Sequence, residues 1–412
     1  MRNKKTYAPR KSLLVVTTWS YKSGLVQSST LPYLEKILTH FPSVQHVYLV
    51  TQETEKELNK KDRLIKVGEH KISLIPQRYY AFGLCKIITS VFQFFQLWWL
   101  IVSKNITHIH CFCTPAGGIG YLLSVLTGRK LILDSYEPHA ESMVENGTWK
   151  KEGLAFNILW WLEKKQTQRA SYCLTVASGM EDYALAKYGV RLKNFSVRPM
   201  CVDLKQFVFD PAKRKIIRAN LEWDSKIICV YVGKFGGIYL DKEAFDFFKS
   251  CQEFWGDQFR VLLLTPSLQS EIALLCKASN FPENNVHSLN VPFKQVSHYL
   301  SVADFAFTPV KPVPSKRYCS PIKDGEYWAI GLPVVITKNI SDDADIIISQ
   351  NAGAVLQSLD TNGYINAIKT IDNLLQEDKD ELRRRIRHLA ETYRNYSIAE
   401  YQYRNIYQTS SE

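Results

Sequence analysis

The sequence predicts an α/β protein made of two doubly wound domains, and three observations lead to this fold class. Short, wholly apolar segments such as residues 13–16 and 227–232 have the composition of strands buried on both faces of a parallel sheet. Segments with helical spacing of apolar residues follow them, for example residues 31–40 and 242–252. The strand–helix alternation restarts after residue 200, which indicates a second domain of the same class.

The elements can be assigned in chain order. In the first half the predicted strands are residues 13–16, 47–50, 106–112, 130–133 and 172–176, and the predicted helices are residues 31–40 and 117–126. In the second half the predicted strands are residues 227–232, 260–264, 305–307 and 333–336, and the predicted helices are residues 242–252, 296–302 and 326–330. The charged tail, residues 380–407, also has helical spacing. We expect domains over residues 1–200 and 201–385, and a C-terminal helix over residues 386–412 that packs back toward the first domain.

This architecture predicts where a ligand binds. Open parallel sheets bind ligands outside the carboxyl ends of their strands. Two Rossmann-like domains that face each other across a cleft would place their site in that cleft.

Composition excludes several other classes. The chain has 412 residues, of which 46% are hydrophobic and 22% charged, so disorder of the whole chain is excluded. No apolar stretch approaches the ~20 residues of a membrane span. The apolar run at residues 13–16 is too short for a secretory signal behind the basic residues Arg2, Lys4 and Lys5. We therefore expect a cytoplasmic protein whose nine cysteines, none in CxxC spacing, are free buried thiols.

The charge is distributed unevenly along the chain. Residues 1–200 carry 27 Lys and Arg against 14 Asp and Glu, whereas residues 201–412 carry 25 against 26. The strongly basic first half indicates an anionic partner, for which nucleic acid, a membrane surface and a phosphorylated acceptor are the candidates. No RNA- or DNA-binding motif is present and the aromatic residues lie in apolar runs, so we expect no nucleic-acid partner.

Residues 320–335 form the most specific segment of the sequence. They read as a helix start, a short helix, a glycine stop at Gly331 and a buried strand. Ser320 is placed to cap the helix, and the free N–H groups of its first turn suit a phosphate. Lys323 adds a cation at that end, and Glu326, one turn further along, is placed to accept two hydrogen bonds from a ribose diol.

These residues resemble the donor-site helix of GT-B glycosyltransferases, in particular the family-4-like group. Three further segments match that group in chain order, namely residues 202–207 (VDLKQF), residues 231–234 (YVGK) and residues 299–304 (YLSVAD). In the family this helix and a strand-end loop hold the diphosphate of a nucleotide sugar. The resemblance implies that Gly233, Lys234, Ser320, Ile322 and Lys323 bind the donor diphosphate, and that Glu326 binds the ribose hydroxyls.

The first half resembles the family less sharply. Gly24 stands in the first strand–helix loop, which in the family lies against the sugar phosphate. A family histidine that contacts the transferred sugar corresponds to His139, and Glu137 close to it is the second catalytic candidate. Eight residues before Glu326, many members carry a glutamate that contacts the sugar, whereas this chain has Tyr318. We interpret this departure as the mark of a subfamily.

The resemblance implies a cytoplasmic, hexosyltransferase-like enzyme that moves a sugar from a nucleotide-sugar donor, UDP-sugar being favoured, and retains the anomeric configuration. The acceptor would be a glycan or a lipid-linked saccharide in surface polysaccharide synthesis. No Asp-x-Asp pair stands in a suitable place, and Asp342-Asp343 reads as a solvated loop, so we expect neither a metal nor a cofactor. The alternatives are a nucleotide-sugar epimerase of the same fold and a catalytically silent protein that binds nucleotides or nucleic acid.

Two aromatic stretches in the basic half, residues 87–102 and 154–161, leave two interpretations open. They form part of the core of the first domain, or they dock peripherally on an anionic membrane that carries a lipid-linked acceptor.

Overall fold

The computed structural model describes residues 10–54, 64–80 and 84–408, with the backbone alone for residues 84–87. The N-terminal residues Arg2, Lys4 and Lys5 and the side chain of Cys85 lie outside this part of the chain. The other eight cysteines are free, and seven of them are buried, as the sequence predicts.

The described residues form fourteen strands. They are β1 (Lys11–Val16), β2 (Val44–Glu53), β3 (Leu64–Val67), β4 (His70–Arg78), β5 (His108–Phe112), β6 (Lys130–Tyr136), β7 (Tyr172–Thr175), β8 (Phe195–Val197), β9 (Ile227–Val232), β10 (Phe259–Leu264), β11 (Val286–Leu289), β12 (Phe305–Thr308), β13 (Val334–Thr337) and β14 (Gly353–Leu356).

The α-helices alternate with these strands. They are α1 (Leu31–His40), α2 (Leu84–Ser103), α3 (Thr114–Thr127), α4 (His139–Glu145), α5 (Leu154–Arg169), α6 (Met180–Tyr183), α7 (Pro211–Asn220), α8 (Lys242–Trp255), α9 (Gln269–Ala278), α10 (Val296–Leu300), α11 (Ile322–Ile330), α12 (Asp343–Ser349), α13 (Thr361–Leu375), α14 (Lys379–Tyr393) and α15 (Tyr396–Tyr407). None of these helices is both long enough and apolar enough to cross a bilayer.

The chain divides into two compact units. Unit 1 contains the residues up to Val144, residues 148–199 and the C-terminal segment from Tyr396 onward. Unit 2 contains Glu145–Gly147 and Met200–Asn395. Helix α14, in which residue 386 lies, belongs to unit 2, and the return of the chain to unit 1 begins with α15.

Unit 1 is built on an eight-stranded sheet with the order β3-β4-β2-β1-β5-β6-β7-β8. All neighbouring pairs are parallel except β3 and β4. The chain moves outward from β1 in one direction through β2 and then continues on the other side with β5. This reversal between β1 and β5 is the switch point at which doubly wound sheets open toward a ligand.

Unit 2 contains a six-stranded, fully parallel sheet with the order β11-β10-β9-β12-β13-β14. Its switch point lies between β9 and β12. Strand β12 is buried at every position, and β9 is buried at four of its six positions, because helices cover both faces of the sheet. The two sheets confirm the predicted α/β class with two doubly wound units.

The long apolar strands coincide with predicted segments, whereas five other strands were not predicted, namely β3, β4, β8, β11 and β14. These strands are short or partly polar. Strand β4, for example, carries Pro76 and begins and ends with His70 and Arg78, so no continuous apolar run marks it. The observed pairing with a neighbour, and not local composition, makes such segments strands.

A buried ionic cluster joins helix α15 to the sheet of unit 1. The carboxylate of Asp134, at the end of β6, is fully buried and accepts hydrogen bonds from Arg198, from His110 Nε2 at 3.0 Å and from the Tyr403 hydroxyl at 2.7 Å. Burial alone would raise the pKa of Asp134, but the Arg198 guanidinium and these donors hold it well below its usual range. The C-terminal helix is thus fixed to unit 1 through a charge that has to remain paired.

Replacing Tyr403 by Phe should destabilise unit 1 by about 2 kcal/mol, because a hydrogen bond to a buried carboxylate is lost. Tyr401→Phe is the matched control, since Tyr401 lies on the same helix and is 62% exposed. Urea denaturation followed by circular dichroism measures both free energies of unfolding. Equal stabilities for the two variants would contradict the structural role of the cluster.

Candidate functional site

The residues predicted to bind the donor lie at the switch point of unit 2. Gly233 and Lys234 directly follow β9, and Ile322, Lys323 and Glu326 lie in α11, which connects β12 to β13. Because β9 and β12 are parallel neighbours, their carboxyl ends lie at the same edge of the sheet. The fold therefore brings two segments together that are almost ninety residues apart in the sequence.

Helix α11 is held against the end of β9 by a buried hydrogen bond. The hydroxyl of Tyr327 accepts the backbone N–H of Val232, the last residue of β9, at 3.0 Å. Residues four apart lie on the same face of a helix. Lys323 lies four residues before Tyr327 and therefore on the same face of α11. This places Lys323 next to Gly233, the residue after Val232.

Gly233 and Lys323 are in close contact. A Cβ added to Gly233 would lie 2.5 Å from Lys323 Nζ, and the φ of Gly233 is +137°. The conformation favours glycine here, and a side chain at this position would also displace the end of the Lys323 side chain. The ammonium group of Lys323 lies 3.9 Å from the ring centroid of Tyr239 and 4.9 Å from that of Tyr231. Two aromatic faces thus hold a cation over a backbone turn, with no carboxylate of the described residues in ion-pair distance.

Glu326 is a buried carboxylate, only 5% exposed. No hydrogen bond to its side chain is found within the described part of the chain. Burial raises the pKa of Glu326 to about 8, and the nearby charge of Lys323 counteracts this only in part. A buried acid without a protein donor, next to a cation at a switch point, is typical of a site that binds a ligand.

The start of α11 differs from the predicted capping arrangement. The N-cap position is held by Pro321, and no side chain caps the helix. The Ser320 hydroxyl instead accepts the N–H of Met200 at 3.1 Å and a hydrogen bond from Arg394 at 2.5 Å. The prediction that Ser320 caps the helix was wrong, because Arg394 and Met200 compete for its oxygen. The N–H of Asp324 donates to the Pro321 carbonyl at 3.2 Å, whereas those of Ile322 and Lys323, at the start of the helix, are available to a ligand.

Arg394 also corrects the interpretation of Asp342-Asp343. Asp343 is 2% exposed and forms an ion pair with Arg394, so this carboxylate is not solvated. Asp324, in α11, lies beside them and accepts a hydrogen bond from Thr308. Burial, and then the charge of Asp343, raise the pKa of Asp324 well above its usual range, so Asp324 stays neutral. Asp324, Asp343 and Arg394 thus form a buried polar cluster that packs against α11.

Lys234 follows Gly233 in the loop after β9, but its side chain is not enclosed by the two tyrosines that contact Lys323. It is exposed, and its carbonyl accepts a hydrogen bond from the Tyr231 hydroxyl at 2.7 Å. Tyr231 therefore fixes the loop and at the same time forms one wall beside Lys323. Neither Tyr231 nor Tyr239 was recognised from the sequence as a site residue, although Tyr231 opens the YVGK segment.

In unit 1, the loop that contains Gly24 follows β1. It is fixed by Glu53, at the end of the neighbouring strand β2, which accepts hydrogen bonds from the Ser20 hydroxyl at 2.5 Å and the Tyr21 N–H at 2.9 Å. Gly24 itself is exposed and has open space around the position of a Cβ. None of the described residues restricts the side chain at this position, so a requirement for glycine would have to come from a ligand.

His139 and Glu137 follow strand β6. His139 begins α4, and its backbone N–H and that of Ala140 donate to the Glu163 carboxylate at 3.0 and 2.9 Å. The Tyr188 hydroxyl donates to the same carboxylate at 2.8 Å. Burial raises the pKa of Glu163 to about 7, although these donors favour its ionised form. Glu163 thus positions the start of the helix that carries His139.

Glu163 could not be recognised from the sequence, because it stands in a polar helix segment, next to Lys164 and Lys165, that has the composition of a solvated face. Only the packing of α5 shows that its side chain is buried. In the described residues, no group of three or more His, Cys, Asp or Glu side chains could hold a metal ion.

No family model matches the chain, and a search of curated proteins finds no significant match. Solved structures do match it over nearly the whole length. Sucrose-phosphate synthase from Thermosynechococcus elongatus superposes with a TM-score of 0.74 at 16% identity, covering 97% of this chain and 98% of its own. HepE of Anabaena, solved with UDP-glucose, gives 0.70 at 14% identity, covering 97% and 100%.

WaaG, a glycosyltransferase involved in lipopolysaccharide biosynthesis, has a TM-score of 0.70 at 15% identity, covering 96% of this chain and 99% of its own. At such identities the similarity concerns the fold. Together with the two sheets and their switch points, it shows that the chain has the GT-B fold.

Replacing Glu326 by Gln should stabilise unit 2 at alkaline pH. The folded state holds a proton on Glu326 up to about pH 8, whereas the unfolded state releases it at about pH 4.5. The free energy of unfolding of the wild type should therefore fall as the pH rises from about 4.5 to about 8. This loss, on the order of 4 kcal/mol, is absent in the variant. Denaturation at several pH values measures it, with Glu283→Gln as an exposed control. A parallel pH dependence of all three proteins would show that Glu326 is not buried as described.

Proposed function

We propose that this protein is a retaining glycosyltransferase, of the family-4-like group, that uses a nucleotide sugar. One observation carries the proposal: Gly233, Lys323 and Glu326 lie together at the switch point of unit 2, and the described residues provide neither an ion pair to Lys323 nor a hydrogen bond to the Glu326 carboxylate. An anionic group can approach the backbone at Gly233 and the open N-terminus of α11. The buried Glu326 can accept the hydrogen bonds of a vicinal diol.

Each part of a nucleoside diphosphate finds a chemically matching group in this arrangement. The diphosphate lies against the turn at Gly233 and the N–H groups of Ile322 and Lys323, with Lys323 and Lys234 as cations. The ribose diol donates to Glu326. UDP is favoured as the nucleotide because HepE, which has the same fold, was solved with UDP-glucose.

The reaction would proceed by departure of the diphosphate from the anomeric carbon. That C–O bond breaks, a new bond forms to the acceptor hydroxyl, and the hydroxyl proton passes to the leaving phosphate and then to water. Preorganised amides and cations stabilise the charge on the leaving oxygen, which is the main contribution that this site can make. These groups require no metal, and we propose a metal-independent enzyme.

In unit 1, we assign His139 to the transferred sugar and Glu137 to its neighbourhood, on the family resemblance and on the location of both at the carboxyl end of β6. The loop of Gly24 contributes to the phosphate side. The acceptor is a glycan or a lipid-linked saccharide, consistent with the role of WaaG in lipopolysaccharide synthesis. A peripheral location at an anionic membrane belongs to the same proposal.

A thermal-shift experiment tests the donor site. We expect UDP or UDP-sugars, among UDP, GDP, dTDP and CMP compounds, to raise the melting temperature, since a ligand of the folded state stabilises it. Gly233→Ala should abolish the shift, because the new Cβ displaces Lys323. Gly256→Ala is the matched control, since Gly256 also has a positive φ but open space around it.

The outcomes separate the alternatives. A shift that is retained in Gly233→Ala, or no shift with any nucleotide, would overturn the donor site. Release of UDP from a UDP-sugar only when an acceptor is added supports a transferase, whereas interconversion of the sugar without an acceptor indicates an epimerase. Binding without either reaction would indicate a catalytically silent relative.

A further inference from the structure

An apolar groove of about 770 Å³ runs along unit 1. Helices α2 and α3 form its sides, and Trp161 of α5 lines it beside Tyr121, at a ring-centroid distance of 6.1 Å. Its walls include Phe94, Phe95 and Val125. Helix α3 contains no charged residue, and α2 contains only Lys86. The groove is therefore suited to a hydrocarbon and not to a sugar.

One end of the groove, which we call the inner end, is polar and lies at the carboxyl edge of the sheet of unit 1. Its residues there are Thr18, Gln52, Gln77 and Arg78, at or after the carboxyl ends of β1, β2 and β4. Gln52 donates to Gln77 at 3.1 Å, and Arg78 is exposed, with its guanidinium over the Tyr80 ring. Because these strands are parallel to β6, this is the edge at which Glu137 and His139 stand.

The outer end opens onto an exposed apolar surface. Helix α2 exposes Phe92 and Trp99, 71% and 64% accessible, and α5 exposes Leu154, 78% accessible. Both helices pack against α3, and soluble proteins rarely leave so many large apolar side chains in contact with water. Four exposed lysines belong to or directly flank these two helices: Lys104 follows α2, Lys150 and Lys151 precede α5, and Lys164 lies in α5. Hydrocarbon and anionic headgroups together match such a surface.

We propose that this groove binds the apolar chain of a lipid-linked acceptor, with its phosphate near Arg78 and its sugar at the sheet edge. The proposal rests on the proposed function and specifies its acceptor as an amphiphile. The change from a polar inner end to an apolar outer end matches one molecule with one polar and one apolar end. A second copy of the chain is disfavoured, because a two-fold interface on this face would bring the lysines of both copies together.

The probe is farnesyl phosphate, which carries an apolar chain and one phosphate, added below its micelle concentration to the full-length protein. The fluorescence of Trp98, Trp99 and Trp161 reports binding. We expect saturable binding of one molecule per chain, and at least about tenfold weaker binding to Val125→Glu, because a charge then lies in the groove. Farnesol and inorganic phosphate, tested separately, should each bind more weakly than the joined molecule.

Two control variants distinguish the groove from the surface. Leu154→Glu changes the exposed surface outside the groove lining, and Ile348→Glu changes an exposed apolar residue of unit 2. Both should bind farnesyl phosphate as the wild type does. Equal loss in Val125→Glu and Leu154→Glu, binding only to vesicles of anionic phospholipid, or a stoichiometry of one probe per two chains would overturn the groove proposal.

The UDP thermal shift, measured on the same Val125→Glu sample, shows that the variant is folded. It also separates the two proposals. A normal UDP shift without any binding of farnesyl phosphate to the wild type would overturn the lipid groove and leave the donor site intact. Absence of the UDP shift in the wild type would overturn the proposed function itself.

Discussion

The candidate donor site depends on one hydrogen bond, from the Val232 N–H to the Tyr327 hydroxyl, which sets the register of α11 against the end of β9. Moving the helix by one residue would rotate its contact face by about 100° and remove Lys323 from Gly233. The same register places Glu326 inside, next to Lys323. A backbone donor at a strand end and a tyrosine on the next helix turn thus align the cation, the open turn and the buried acid.

The arrangement lowers the stability of unit 2, and a bound ligand would offset this cost. Burial shifts the Glu326 carboxyl toward its neutral form, and the helix N-terminus is left without a side-chain cap. Natural proteins retain such unfavourable groups where function requires them. Arg394, by contrast, has several partners beneath the helix: it binds Ser320, Met200 and Asp343, and Gly325 leaves room for it to pack against α11. Rigid support under an unsatisfied surface is the physical form of a preorganised site.

The sequence predicted the fold class and the short helix that carries Lys323 and Glu326 because both depend on local signals. Continuous apolar strands, and a lysine and a glutamate at helical spacing behind a proline, are visible without a structure. The roles of Ser320 and Asp343 were misjudged because their partner, Arg394, is fifty or more residues away in the sequence. Glu163 was missed for a related reason: its charge indicates exposure, and only the packing of α5 against α4 shows that it is buried.

The sequence also left open whether the aromatic stretches of the basic half belong to a core. In the structure, one face of helix α2 is buried in unit 1 and another face is exposed. Leu97 and Ile101 are buried in unit 1, whereas Phe92 and Trp99 of the same helix are exposed. A helix that is apolar on all sides cannot show by periodicity which side faces the protein. The groove between α2 and α3 follows from that distribution and from the polar residues at the strand ends.

Calorimetric titration with UDP as a function of pH tests the central claim most directly, namely that the buried Glu326 carboxylate accepts the ribose hydroxyls. If only its ionised form binds, affinity should be about tenfold lower near pH 7 than near pH 9, and binding should release a proton below about pH 8. The number of protons follows from titrations in buffers of different ionisation enthalpy. Glu326→Gln should bind weakly without this pH dependence. An unchanged dependence in the variant, or UDP binding that is independent of pH in the wild type, would contradict the account.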